Sequence, residues 1–296
     1  MKLVQFYLPE SGCRIGILDN DQVLDITSPG LCSTMDLIER AVSEGITVEA
    51  IISQLDTGKS YSYEALNIRP DSARPHLLIP IHPPEVWGCG VTYKRSAEMR
   101  DEDTTGARGI YDHVYFADRP EIFFKATATR CVGSNDYICV RRDSTLTAAE
   151  PELAYVIGKD QDVIGFTVCN DVSAWDIERE NPLYLPQSKI FYGCCALGPV
   201  LVLKSGIDDP YDLDITCEII RDEKVIYSGG INSSAMKRKF DELTEFLCRD
   251  NPIPVGTVMT TGTGIMIPND YALAAGDVVE IEIEGIGKLS NPVKKL

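Results

Sequence analysis

The residues best suited to chemistry begin at Glu150-Pro151-Glu152, at the head of the apolar run Leu153-Ala154-Tyr155-Val156-Ile157. In a strand, residues two apart project from one face, so the two carboxylates converge, and Pro151 stiffens the backbone between them. Converged carboxylates favour a hard divalent cation, although such a pair taken alone is more often solvated surface charge. Asp171 closes a second apolar run, Val163 to Cys169, one residue after Asn170. It fits a third oxygen ligand. Glu, Glu and Asp with waters suit octahedral Mg²⁺ or Mn²⁺ better than Zn²⁺, and Ca²⁺ is a further hard cation that such a set accepts. On local grounds Asp171 fits equally well as the cap of the next turn.

Two lysines stand inside apolar stretches: Lys125 in Ile122-Phe123-Phe124-Lys125-Ala126, and Lys189 in Leu185-Pro186-Gln187-Ser188-Lys189-Ile190-Phe191. Each either snorkels to the surface or is held as a functional cation, and snorkelling is the commoner outcome for a lysine taken singly. Thr260-Thr261-Gly262-Thr263-Gly264 is a glycine-and-hydroxyl turn able to grip an anion, and it matches neither the phosphate-loop nor the dinucleotide pattern. The three histidines, His76, His82 and His113, lack zinc-site spacing, and no Gly-x-Ser-x-Gly elbow is present. The adjacent Cys194-Cys195 reads as tight core packing, and the ten cysteines, without a regular framework or a Cys-x-x-Cys pair, read as reduced thiols.

The elements that must position these groups are mostly strands. Short extended stretches (Leu3 to Phe6, Arg14 to Leu18) precede helical periodicity at Met35, Leu37, Ile38, Ala41 and Val42, then at Val48, Ile51, Ile52 and Leu55. Between Thr57 and Pro84 the chain turns to Gly, Ser, Tyr, Arg and Pro, which predicts connecting chain and a division into residues 1–75 and 76–296. From Glu85 onward strand patterns dominate. One late helix is predicted over Ser233 to Cys248, with Met236, Phe240, Leu243 and Leu247 on one face. Strands from distant parts of the chain with few helices predict an antiparallel or mixed α+β fold, a small N-terminal α+β domain beside a β-rich larger one.

Forty-five acidic against 28 basic side chains give a net charge of −17, which argues against nucleic-acid binding and against docking on an anionic membrane surface. No stretch has the form of a secretory signal or the length of a membrane span, so a cytoplasmic location is expected.

In chain order the pattern is Gly88-Cys89-Gly90-Val91-Thr92-Tyr93, Phe124-Lys125, Glu150-x-Glu152, Asn170-Asp171-Val172-Ser173-Ala174, Lys189, Gly198-Pro199, Thr261-Gly262-Thr263 and Asn291-Pro292-Val293. From Pro83 to the C-terminus this resembles the fumarylacetoacetate hydrolase superfamily. The resemblance implies a β-rich catalytic domain, a Mg²⁺ or similar ion on Glu150, Glu152 and Asp171, and a homo-oligomer, dimer or tetramer. Stretches such as Arg119-Pro120-Glu121-Ile122-Phe123-Phe124-Lys125 and Asn181-Pro182-Leu183-Tyr184 look most like the branch that dehydrates 2-keto-3-deoxy sugar acids. Hydrolytic members usually carry His three residues after the motif tyrosine, where this chain has Ser96, and many relatives have Arg where it has Trp175.

The expected substrate is therefore a small 2-keto acid. Lys189 is expected on its oxygens with a part in proton transfer, Lys125 on a supporting polar contact, Thr263 on its carboxylate, and Gly90 and Tyr93 along its path. Glu121 is the expected acid/base, beside Arg119 and the apolar pair Phe123-Phe124 that could raise its pKa. The segment from Tyr93 through Asp101 to Gly106 is expected to close over the site. Acylpyruvate hydrolysis and oxaloacetate decarboxylation are the alternative reactions, and a non-catalytic metal-binding scaffold is the distant one.

Overall fold

The computed structural model describes residues 1–96 and 109–296. The N-terminal segment is α+β as its periodicity predicts. Strands Lys2–Leu8, Gly12–Asp19 and Gln22–Asp25 form a meander, followed by the helices Thr34–Glu44 and Val48–Ile52. The first helix is fixed at both ends. Ser33 and Asp36 close a reciprocal capping box, and Gly45 ends it at φ 68°, a left-handed conformation natural to glycine. Its buried face carries Leu37, Ile38 and Ala41.

Strand Lys2–Leu8 also pairs with Cys195–Leu203, matching Lys2 with Val202 and Leu3 with Leu201, and with His76–Leu77. The N-terminal meander is thereby continuous with the large sheet that carries the site. From the N-terminal edge inward, that sheet runs Ser60–Ser62, Gln22–Asp25, Gly12–Asp19, Lys2–Leu8, Cys195–Leu203, Val163–Asp171, Pro151–Ile157, Val258–Thr260, Val86–Gly90 and Glu121–Ala126. Its middle strands are buried on both faces, which is why they read as continuous apolar runs. A second, five-stranded sheet contains Lys224–Asn232, Asp214–Arg221, Val278–Ile283, Gly287–Lys295 and Ile138–Val140.

The late helix is shorter than its periodicity predicts. Ser233–Ala235 is a single 3₁₀ turn, Met236 is extended, and the α-helix spans only Phe240–Cys248. The cause is a tertiary pairing: Met236 bridges Tyr93, and Lys237 N donates to Thr92 O at 3.0 Å, so these residues act as a strand. The remaining helix buries Phe240, Leu243 and Leu247 as expected. Phe240 stacks on Tyr211 with centroids 4.5 Å apart and lies 4.8 Å from Tyr155 and 5.8 Å from Phe166. Phe240→Ala is expected to cost about 3–5 kcal/mol by leaving a cavity among these rings; a urea midpoint equal to wild type would contradict this packing.

Six of the ten cysteines are buried, Cys194 and Cys195 completely, and all ten are free thiols. Cys32 departs from the core reading, being exposed.

Candidate active site

Strands Pro151–Ile157 and Val163–Asp171 pair antiparallel, with Pro151 opposite Asn170 and Glu152 opposite Cys169. Asp171 N donates to Glu150 O at 3.0 Å, which sets the Asp171 side chain beside the two glutamates. One carboxylate oxygen from each of Glu150, Glu152 and Asp171 lies within 4.8 Å of the other two, and all three side chains are buried. The Glu-x-Glu pair is therefore no surface charge.

Neither lysine snorkels. Lys189 is 1% exposed, and its Nζ donates to Ser173 Oγ (2.7 Å), Glu150 Oε2 (2.8 Å) and Asp171 Oδ2 (2.9 Å). It bridges two of the three carboxylates and lies 5.2 Å over the Phe123 ring. Lys125 is 0% exposed, donates to Lys189 O (2.6 Å) and Val172 O (2.9 Å), and pairs with Asp171 Oδ1 at 2.5 Å. Through these contacts Lys125 braces Asp171 and the backbone of Lys189. Burial works to lower its pKa, but the adjacent Asp171 charge, with smaller contributions from Cys194 and Cys195, holds it above the usual lysine value.

The glycine-and-hydroxyl turn holds a carboxyl of the chain itself: Gly262 N donates to Glu152 Oε2 at 2.8 Å. Gly262 sits at φ +81°, and a Cβ there would stand 2.2 Å from Thr92 Oγ1 and 2.9 Å from Cys89 O, so the turn requires glycine. Thr263 is buried, and its Oγ1 accepts from Ile265 N at 3.1 Å.

Glu121, Phe123 and Lys125 alternate along the edge strand and so share one face. Phe123 and Lys125 reach Lys189 and Asp171, which places Glu121 on the face turned to the site. Its carboxylate lies over Gly90, where a Cβ would stand 2.0 Å from Glu121 Oε2. Gly90 thus makes room for this carboxyl. Of the apolar pair expected around Glu121, only Phe123 shares its face. Phe124 packs edge-on against Trp87, and the Arg119 guanidinium lies 5.3 Å over Phe246. Tyr93 is 1% exposed and its hydroxyl has no hydrogen-bond partner among the described residues; burial, then the Glu152 charge, push the phenol pKa up. Asp101 to Gly106 lie outside the described residues.

Residues 86–294 match the fumarylacetoacetate (FAA) hydrolase C-terminal family. The chain belongs to this family. It is 45% identical over 282 residues to a 2-dehydro-3-deoxy-D-arabinonate dehydratase of Saccharolobus solfataricus, covering 94% of this chain and 91% of that one. It is 44% identical over 218 residues to a probable 2-keto-3-deoxyxylonate dehydratase of Haloferax volcanii, covering 74% and 75%. A solved structure of 2-keto-3-deoxy-D-arabinonate dehydratase complexed with magnesium and 2,5-dioxopentanoate superposes with a TM-score of 0.86 at 42% identity, covering 100% and 99%.

In this FAA hydrolase family member the donor set fits a divalent cation. All three candidate ligands are hard carboxylate oxygens, and among the described residues two ammonium groups stand against them, leaving one negative charge in excess in a buried space. Glu152 carries the cost. Burial first, then the charges of Asp171 and Glu150, push its carboxyl well above the usual range.

A pH dependence follows from that shift. Metal-free folded protein keeps a Glu152 proton that the unfolded chain loses above about pH 4.3. Its stability is expected to fall as pH rises from there through the raised folded value, whereas divalent affinity rises over the same window because binding displaces the proton. Melting temperatures of chelator-treated protein against pH check this, with Glu152→Gln flattening the slope. A flat wild-type profile would contradict it.

Two residues that the sequence analysis named without giving them a role contact the site. Ser173 Oγ accepts from Lys189 and donates to Asp171 O at 2.9 Å, and Trp175 Nε1 donates to Glu150 Oε1 at 2.6 Å. Ser173 could have been found from its place two residues after Asp171, on the same side of an extended chain.

Proposed function

We propose that this protein is a Mg²⁺-dependent dehydratase that converts 2-dehydro-3-deoxy-D-arabinonate to 2,5-dioxopentanoate in pentose catabolism. The observation that carries the reading is the buried Glu150, Glu152 and Asp171 cluster bridged by Lys189, on a chain so similar to dehydratases over nearly its whole length. The two dehydratase names converge chemically. Forming the 2-keto-3-deoxy acid removes the stereocentres at C2 and C3, so D-arabinonate and D-xylonate lead to one compound with C4 alone defined.

Glu150, Glu152 and Asp171 would hold the cation, which when bound supplies Lewis-acid polarisation of the C2 carbonyl and acidifies the C3 protons. Lys189 donates to the substrate oxygens, and Lys125 keeps Asp171 in place. Glu121 removes a C3 proton and returns it to the departing C4 hydroxyl, which leaves as water. Proton shifts from C5 to C3 and from the C5 hydroxyl to C4 then give the aldehyde. Thr263 binds the substrate carboxylate. The Tyr93 hydroxyl, without a hydrogen-bond partner among the described residues, donates to a substrate oxygen, and Gly90 keeps the space that Glu121 needs.

Residues 76–296 carry this chemistry and residues 1–75 form the N-terminal α+β unit. The protein works in the cytoplasm as a homo-oligomer, dimer or tetramer. No described helix is long and apolar enough to cross a membrane.

Release of 2,5-dioxopentanoate from the D-keto acid with Mg²⁺, repeated after chelation and with the L form, tests the proposal. Metal-dependent aldehyde from the D form is expected. No aldehyde from either form with metal bound would move the assignment to decarboxylation or C–C hydrolysis of another 2-keto acid.

A further inference from the structure

We infer that Trp175 is a positioning residue for the metal ligand Glu150, its indole N–H fixing the carboxylate and thereby setting divalent-cation affinity. The inference rests on the divalent-cation reading of the acidic cluster.

Both oxygens of Glu150 are held by donors of the chain: Oε2 by Lys189 at 2.8 Å, and Oε1 by Trp175 Nε1 at 2.6 Å. Held at both oxygens, the carboxylate is fixed in orientation. The indole is well supported. Trp175 is 4% exposed and clusters with Ala148 and Met266, while the Arg179 guanidinium lies 5.0 Å over its ring and donates to Asn269 Oδ1 at 3.0 Å. Ring position is thus set by packing, and the N–H is aimed at one oxygen.

The type of donor matters as much as its place. Lys125 and Lys189 already offset two of the three carboxylate charges. A third cationic donor on Glu150 would cancel the remaining negative charge that attracts a divalent ion, whereas an indole N–H orients the ligand and leaves that charge intact. Without it, Oε1 loses its indole donor, and Glu150 loses one of the two contacts that orient it.

Trp175→Phe keeps the ring and removes the N–H. Calorimetric titration with Mg²⁺ is expected to show a Kd about 10–100-fold weaker than wild type, with kcat recovering at saturating Mg²⁺. An unchanged Kd would overturn the inference alone, while a wild type that binds no Mg²⁺ would overturn the metal reading as well. A second arm does not need that variant to fold. The chain has two tryptophans, Trp87 and Trp175, so Trp87→Phe leaves Trp175 as the only indole. Its emission is expected to change saturably with Mg²⁺ at the calorimetric Kd, and an emission indifferent to bound Mg²⁺ would count against the inference.

Discussion

Asp171→Ala is expected to lower kcat/KM by about 10³-fold or more, since polarisation of the substrate carbonyl is worth several kcal/mol and each 1.36 kcal/mol is a factor of ten. The same change should destabilise the protein by about 3–5 kcal/mol, because it leaves Lys125 and Lys189 buried with a counter-charge missing. The two losses are separable. Adding Lys125→Met to Asp171→Ala should restore part of the stability, through removal of the uncompensated ammonium, and none of the turnover. Urea denaturation and single-substrate kinetics on both variants check this. A single variant with wild-type turnover would remove Asp171 from the metal set, and a double variant less stable than the single would contradict the charge argument.

Glu121→Gln is the second large effect. Loss of general acid/base chemistry is expected to cost about 10²- to 10⁴-fold in kcat. Glu121 lies outside the Glu150, Glu152 and Asp171 set, so Mg²⁺ affinity should stay at the wild-type value. The carboxamide still fits above Gly90, so the fold is not at risk. Intact turnover would retire Glu121 as acid/base and shift attention to Lys189. A fall in Mg²⁺ affinity parallel to that in kcat would instead make Glu121 part of the metal site.

The acidic cluster was legible because its signals are local: a two-residue repeat at a strand head and an acid at the end of an apolar run, both preserved when the strands pair in register. The lysines were only half legible. Sequence shows an ammonium inside an apolar run, but whether it escapes to water depends on what closes over it, and here strands and a short helix from distant segments do so. The Gly262 turn was readable as an anion grip, whereas its partner, Glu152, lies 110 residues earlier. The helix before Phe240 was misread for a similar reason, since Met236 and Lys237 are drawn into strand pairing by Thr92 and Tyr93. Trp175 gave no local sign of its partner, because an indole N–H declares itself only when the acceptor is in view.

The pairing of Lys2–Leu8 with Cys195–Leu203 also bears on how the chain is made. The strand carrying Asp171 lies directly on the far side of Cys195–Leu203. At about 5–20 residues per second, roughly 10–40 s of synthesis separate Lys2 from its partner Val202. Throughout that interval the Lys2–Leu3 end of an apolar N-terminal strand waits with one edge unpaired, since His76–Leu77 covers only Phe6 and Tyr7, so nascent chains should depend on chaperones and the last strand to dock should govern the folding rate.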